Sequence, residues 1–258
     1  MALGSCALPA SAPDLLKLKE YLDQKRRPQP VYRQSCRRCQ RPEAVCLCGL
    51  IRPFDTRTRF VILMHPKEAR KQKNGTGRLC HLALSNSSLL VGVDFTDDDR
   101  VNALIRDPEY RSVLLFPTAD AVDLSRDGYA AVGGRTGRLQ IFVVDGTWSL
   151  AGKILRLSKN LQALPTVSFT PERPSNFRIK RQPRAEYLST LESIHLLLQL
   201  GQEQGVEAPG ATVDQLLAIF NRLVEIQLDC AETGSPSQPS DRSQDGCDLL
   251  GATTAAEC

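Results

Sequence analysis

Four cysteines fall within thirteen residues, in the stretch CRRCQRPEAVCLC at 36–48. Their spacing is Cys36-x2-Cys39-x6-Cys46-x-Cys48, two short thiol clips joined by a linker. Zinc takes four soft ligands in a tetrahedron, and two facing clips supply them. Structural Zn2+ on Cys36, Cys39, Cys46 and Cys48 is therefore the expected chemistry. A thioredoxin-like redox pair and an iron–sulfur site are the alternatives, although a redox pair needs no second clip. The chain has nine cysteines, and the other five (Cys6, Cys80, Cys230, Cys247, Cys258) show no framework spacing, which argues against a secreted disulfide scaffold. Arg37, Arg38 and Arg41 lie in or beside the turns. Their charge favours thiolates, and the same side chains are expected to point outward, toward phosphates.

A second set of chemically able residues follows three apolar runs. RFVILMH (59–65) leads into His65, Glu68 and then Thr76-Gly77-Arg78. RSVLLFP (111–117) leads into Phe116, Pro117 and Thr118, and LQIFVVDG (139–146) into Val144, Asp145, Gly146, Thr147 and Trp148. Each has a plain reading as well. Asp145 suits a helix N-cap, Trp148 a core anchor, His65 a strand-end histidine and Glu68 a first-turn acid. Further on, Ser189 and Glu192 in LSTLE fit a capping box.

The elements that must position these residues follow from periodicity. The three unbroken apolar runs suit strands buried on both faces of a parallel sheet. LCHLALSN (79–86), VNALIRD (101–107) and SLAGKILRLSKNLQAL (149–164) have helical length, TVSF (166–169) suits a short strand, and late helices are expected at about 186–200 and 212–229. Strands alternating with helices predict an α/β domain with a parallel sheet and flanking helices. Ligands bind such sheets at the carboxyl ends of the strands, where the polar residues above cluster. The expected division is a flexible basic extension (1–30), a zinc-binding cysteine module (31–55), the α/β domain (56–230) and a disordered tail (231–258) poor in bulky apolar residues.

Charge is unevenly spread. Residues 17–78 hold 17 Lys and Arg against 5 acids, a local +12, while the whole chain carries +4, which leaves −8 elsewhere. A basic region around a metal-built knob points to nucleic acid. A second basic segment, RPSNFRIKRQPRA (173–185), adds Arg178, Lys180, Arg181 and Arg184. No apolar run is long enough to span a bilayer, and the N-terminus lacks the basic and apolar regions of a signal peptide, so a cytoplasmic, membrane-free protein is expected.

Taken together, the CxxC…RPxxxCxC module with Arg41-Pro42, the HPKE segment followed by TGR, the DGTW turn and LSTLE resemble the DTW-domain family. The resemblance runs from about Cys36 to the late helices. It implies tRNA-uridine aminocarboxypropyltransferase activity, with S-adenosylmethionine as co-substrate and tRNA as partner. It also implies a SPOUT-like sheet with a deep trefoil knot, working as a monomer or homodimer. Under that resemblance the catalytic pair is Asp145 and Trp148. The cofactor-binding set is His65, Glu68, Arg78, Phe116, Pro117, Thr118, Val144, Gly146, Thr147, Ser189 and Glu192. A knotted RNA methyltransferase and a non-catalytic zinc-ribbon RNA-binding protein are the rival readings. One departure is Pro117-Thr118, where many relatives have Pro-Gly.

Overall fold

Among the described residues, six strands build one all-parallel sheet: β1 (Arg59–Met64), β2 (Ser87–Val91), β3 (Tyr110–Leu115), β4 (Val122–Asp123), β5 (Arg138–Asp145) and β6 (Thr166–Ser168). Their order is β2-β1-β5-β3-β6-β4. The structure, a computed structural model, describes residues 34–71, 75–133, 137–177, 187–208 and 212–233. The expected extension (1–30), the tail beyond 233, and Arg178, Lys180, Arg181 and Arg184 lie outside the described residues.

The three unbroken apolar runs became the three central strands because both of their faces are covered. Alternate residues point to opposite faces. Phe60, Ile62, Val113, Ile141 and Val143 enter one core, and Val61, Leu63, Leu114 and Phe142 enter the other. Among the described residues, seven α-helices flank the sheet: α1 (Pro66–Lys71), α2 (Gly77–Ala83), α3 (Asp99–Ile105), α4 (Trp148–Leu157), α5 (Lys159–Gln162), α6 (Thr190–Glu203) and α7 (Asp214–Thr233). Leu79 of α2, Ile194 of α6 and Phe220 of α7 fill the first core. Val101 of α3, Ile154 of α4 and Leu161 of α5 fill the second. The α/β expectation holds, and among the described residues no helix is long and apolar enough to cross a membrane.

Three local expectations needed correction. The helix expected over 149–164 breaks at Ser158, whose backbone is extended (φ −89, ψ 91) and whose Oγ accepts the Phe95 N–H at 3.0 Å. β2 and β4 were not foreseen. α7 runs to Thr233, past the expected start of the tail.

The cysteine module is not a separate globule. Val45, Leu47 and Ile51 belong to the same buried core as α2, α6 and α7. In the sheet, the register sets Met64 beside Asp145, and Leu115 beside Val143. The carboxyl ends of β1, β5 and β3 therefore lie side by side, at the point where β1 and β2 run to one edge and β3 to the other. Such a reversal opens a crevice in a parallel sheet.

Candidate active site and metal centre

The two thiol clips face each other. Gln40 takes a left-handed backbone (φ 61), its N–H donates to the Cys36 carbonyl at 2.8 Å, and the Cys36 N–H donates to the Arg41 carbonyl at 2.8 Å. The first clip is thus a closed knuckle. In the second clip Leu47 is 1 % exposed and packs into the core. Its two neighbours therefore turn the other way, toward the first clip, which explains the tight Cys-x-Cys spacing.

The Sγ atoms of Cys36 and Cys48 stand 3.7 Å apart, as do those of Cys39 and Cys46, and all four lie within 4.8 Å of one another. Thiolates about 2.3 Å from a tetrahedral zinc stand about 3.8 Å apart, so the donor set fits that ion. The thiols press the same point. N–H groups of Cys39 and Arg38 lower Cys36 to about 6, whereas burial and the crowded sulfurs push Cys48 up to about 12. A cation held among the four sulfurs would favour their thiolate forms.

Arg37 and Arg38 are exposed on the knuckle, as expected, but Arg41 is not. It is 2 % exposed, and its Nη2 donates to the Gly75 carbonyl at 3.5 Å. Burial lowers its pKa to about 10, opposed by Cys39 and Cys46, so it serves the module's interior and not a phosphate. Gly75 in turn lines the cavity at the carboxyl ends of the central strands, so Arg41 joins the cysteine cluster to that cavity's wall.

The cavity, about 290 Å³, opens at the carboxyl ends of the central strands. Seven of the eleven residues expected to bind cofactor line it: Glu68, Phe116, Pro117, Val144, Gly146, Thr147 and Ser189, together with Asp145 and Trp148. Its size falls at the lower end of small-ligand sites. Trp148 opens α4 and faces the cavity, so it is not a core anchor. Its ring stacks on Tyr187 (centroids 3.8 Å apart, 28° between planes), with Phe116 tilted at 6.0 Å.

Asp145 is 5 % exposed and is not a helix cap, since Thr147 holds that position for α4. The Thr190 hydroxyl, at the start of α6, donates to its Oδ1 at 2.6 Å. On the other side the carboxylate lies against the backbone that opens α2. A Cβ added to Gly77 would stand 2.6 Å from both Cγ and Oδ2 of Asp145. Any larger residue at 77 would therefore have to push the carboxylate from this place. The nearby Cys80 thiol is pushed well up, by burial first and by the Asp145 charge second.

Four expected cofactor ligands are placed elsewhere. His65 is buried behind the wall, its N–H donating to the Asp145 carbonyl at 3.1 Å and its Nδ1 accepting from the Lys67 N–H at 3.1 Å. Burial, then Lys153 and Lys67, lower its pKa, so the ring is neutral with its proton on Nε2. Arg78 and Thr118 stand outside the cavity lining, the latter within 2.6 Å of the Thr166 hydroxyl. Glu192 completes the capping box with Ser189, taking its N–H at 2.9 Å and returning a bond to Ser189 Oγ at 3.3 Å. The same carboxylate also accepts from Ser175 Oγ (2.8 Å) and the Asn176 N–H (2.9 Å). Those donors engage it in a structural network, and it stands outside the cavity lining.

Sequence reasoning assigned no role to Phe177, Tyr187 or Thr190, and none to Thr76 beyond its place in the TGR stretch, yet all four line the cavity. Thr76 and Thr190 each adjoin a motif residue that had been singled out; Phe177 and Tyr187 carried no comparable signal.

The sequence pattern of the DTW domain matches residues 33–228. The tRNA-uridine aminocarboxypropyltransferase 2 of Drosophila melanogaster is 29 % identical over 171 residues, covering 64 % of this chain and 65 % of that protein. The protein of the same name from Mus musculus is 28 % identical over 205 residues, covering 76 % of this chain and 64 % of its own length. A short, stronger match, 47 % over 47 residues, joins 17 % of this chain to 17 % of tRNA-uridine aminocarboxypropyltransferase A of Arabidopsis thaliana. The two animal alignments thus span just under two thirds of the relatives' length. No solved structure matches.

Proposed function

Because the chain belongs to the DTW-domain family, we propose that it is a tRNA-uridine aminocarboxypropyltransferase. In this reading it moves the 3-amino-3-carboxypropyl group of S-adenosylmethionine to N3 of a tRNA uridine and releases 5′-methylthioadenosine. The observation that carries the reading is the juxtaposition, in one cavity, of a buried carboxylate, an aromatic stack and the DTW turn itself. The all-parallel sheet supports the SPOUT-like reading of the frame.

The sulfonium supplies an electrophilic carbon: one C–S bond breaks to a neutral thioether as the N3–C bond forms, and the N3 proton must leave. The protein's task is to hold that carbon, and not the methyl, in line with N3. Asp145 is the group at hand to accept or orient that proton. Trp148, with Tyr187 and Phe116, forms a face on which an unstacked base can lie. Glu68, buried in the cavity wall, is the remaining acid suited to a cofactor ammonium. Arg37 and Arg38 on the zinc knuckle, with exposed Lys67 and Lys153 near His65, suit phosphates of the tRNA.

The test is incubation of purified protein with unmodified tRNA and S-adenosylmethionine, followed by mass spectrometry of the nucleosides. Aminocarboxypropyl-uridine with an equal amount of methylthioadenosine is expected. A methylated nucleoside would assign a methyltransferase, and no modified nucleoside at all would leave only an RNA-binding role.

A further inference from the structure

The geometry points to Thr190 as the positioning residue for Asp145, a role carried by its hydroxyl and not by its packing. Resting on the aminocarboxypropyl-transfer reading, this names the group that sets the orientation and ionisation of that site's carboxylate. Three observations converge on it. The Thr190 Oγ donates to Asp145 Oδ1 at 2.6 Å, a short charge-assisted contact. Thr190 is the first residue of a 14-residue helix whose start is locked by a full capping box, so the hydroxyl is delivered by a rigid element. The opposite side of the carboxylate is closed by Gly77, where even one methyl group would collide with Asp145. Among the described residues, the carboxylate is held between this donor and this wall, which together restrict its orientation.

The capping box adds a second consequence. Glu192, three residues into α6, also grips Ser175 Oγ and the Asn176 N–H. Phe177, next in sequence, lines the cavity. Thr190 therefore stands on a base that fixes the neighbouring wall as well. A hydrogen bond to the ionised carboxylate favours the charged form, so losing it raises the carboxyl's pKa. Among the described residues, the other titratable groups facing Asp145 are His65 after β1, Glu68 on α1, Cys80 on α2 and Tyr187 ahead of α6. All four are unchanged in the variants below.

The experiment compares Thr190→Val, which keeps the shape, with Thr190→Ser, which keeps the hydroxyl. Two readouts are taken: kcat and KM for tRNA across pH, and the ¹³C titration of the Asp145 carboxyl in the protein alone. Thr190→Val is expected to lower kcat about 10- to 100-fold at unchanged KM. Its acid limb should move to higher pH and its carboxyl midpoint should rise, while Thr190→Ser tracks the wild type. Wild-type kcat and midpoint in Thr190→Val would overturn the assignment, as would equal impairment of both variants. If the wild-type protein itself makes no aminocarboxypropyl-uridine, the reaction reading fails, and the carboxyl midpoint alone then decides the role of Thr190.

Discussion

The two ends of the central strands use buried carboxylates in opposite ways. At the amino end Glu207, 6 % exposed, accepts the N–H groups of Arg57 (2.8 Å) and Thr58 (2.7 Å), pinning the chain where it enters β1. Nearby, Arg59 donates to Asp107 (2.8 Å) and Gln140 (3.0 Å), and its guanidinium lies 3.6 Å over the Tyr110 ring. Gln140, fully buried, gives its own amide hydrogens to the Leu104 carbonyl and Ser112. Polar groups there consume one another. At the carboxyl end Asp145 is as deeply buried, yet it forms the wall of a cavity beside three aromatic rings. A buried charge alone therefore does not mark a site; a buried charge that borders an opening does.

Substitutions at the two ends should separate cleanly. The largest effect is expected from Asp145→Asn, which keeps shape and removes charge: single-turnover rates should fall about 10³-fold with little change in melting temperature. A rate within tenfold of wild type would make the two ends alike. Next comes Glu207→Gln, which turns an amide donor toward a backbone N–H. Urea denaturation should show a loss of about 2 kcal/mol, with turnover per folded molecule unchanged. Altered turnover there would mean that the amino end takes part in the chemistry. The smallest effect belongs to Arg59→Met. Its ion pair with Asp107 is partly solvated, and the loss should be about 1 kcal/mol or less by the same denaturation measurement.

How much of this was readable beforehand depended on what each residue's partner was. The central strands announce themselves because burial on both faces demands unbroken apolar sequence, as in FVILM at 60–64. β2, at the sheet edge, reads SSLLV with both serines half-buried, and β4 is only two residues long; neither has a pattern to detect. The break at Ser158 follows from a bond to Phe95, sixty-three residues away, which no local propensity reports. The cysteine spacing was legible because four ligands to one ion constrain sequence directly. Arg41 was not: beside Arg37 and Arg38 it looks equivalent, and only the packed module buries it against Gly75. Glu192 was legible as a cap, but its wider network was not, because the sequence does not reveal Ser175 and Asn176 as its other partners.

Gly77 and Asp145 carry a joint constraint on descent. The carboxylate occupies the volume that any other side chain at 77 would need, so a lineage can keep this acid in its present place only while it keeps that glycine. Once the acid is lost, position 77 is released to drift. A natural variant with alanine or serine at 77 should accordingly have already abandoned the aspartate, and with it the chemistry.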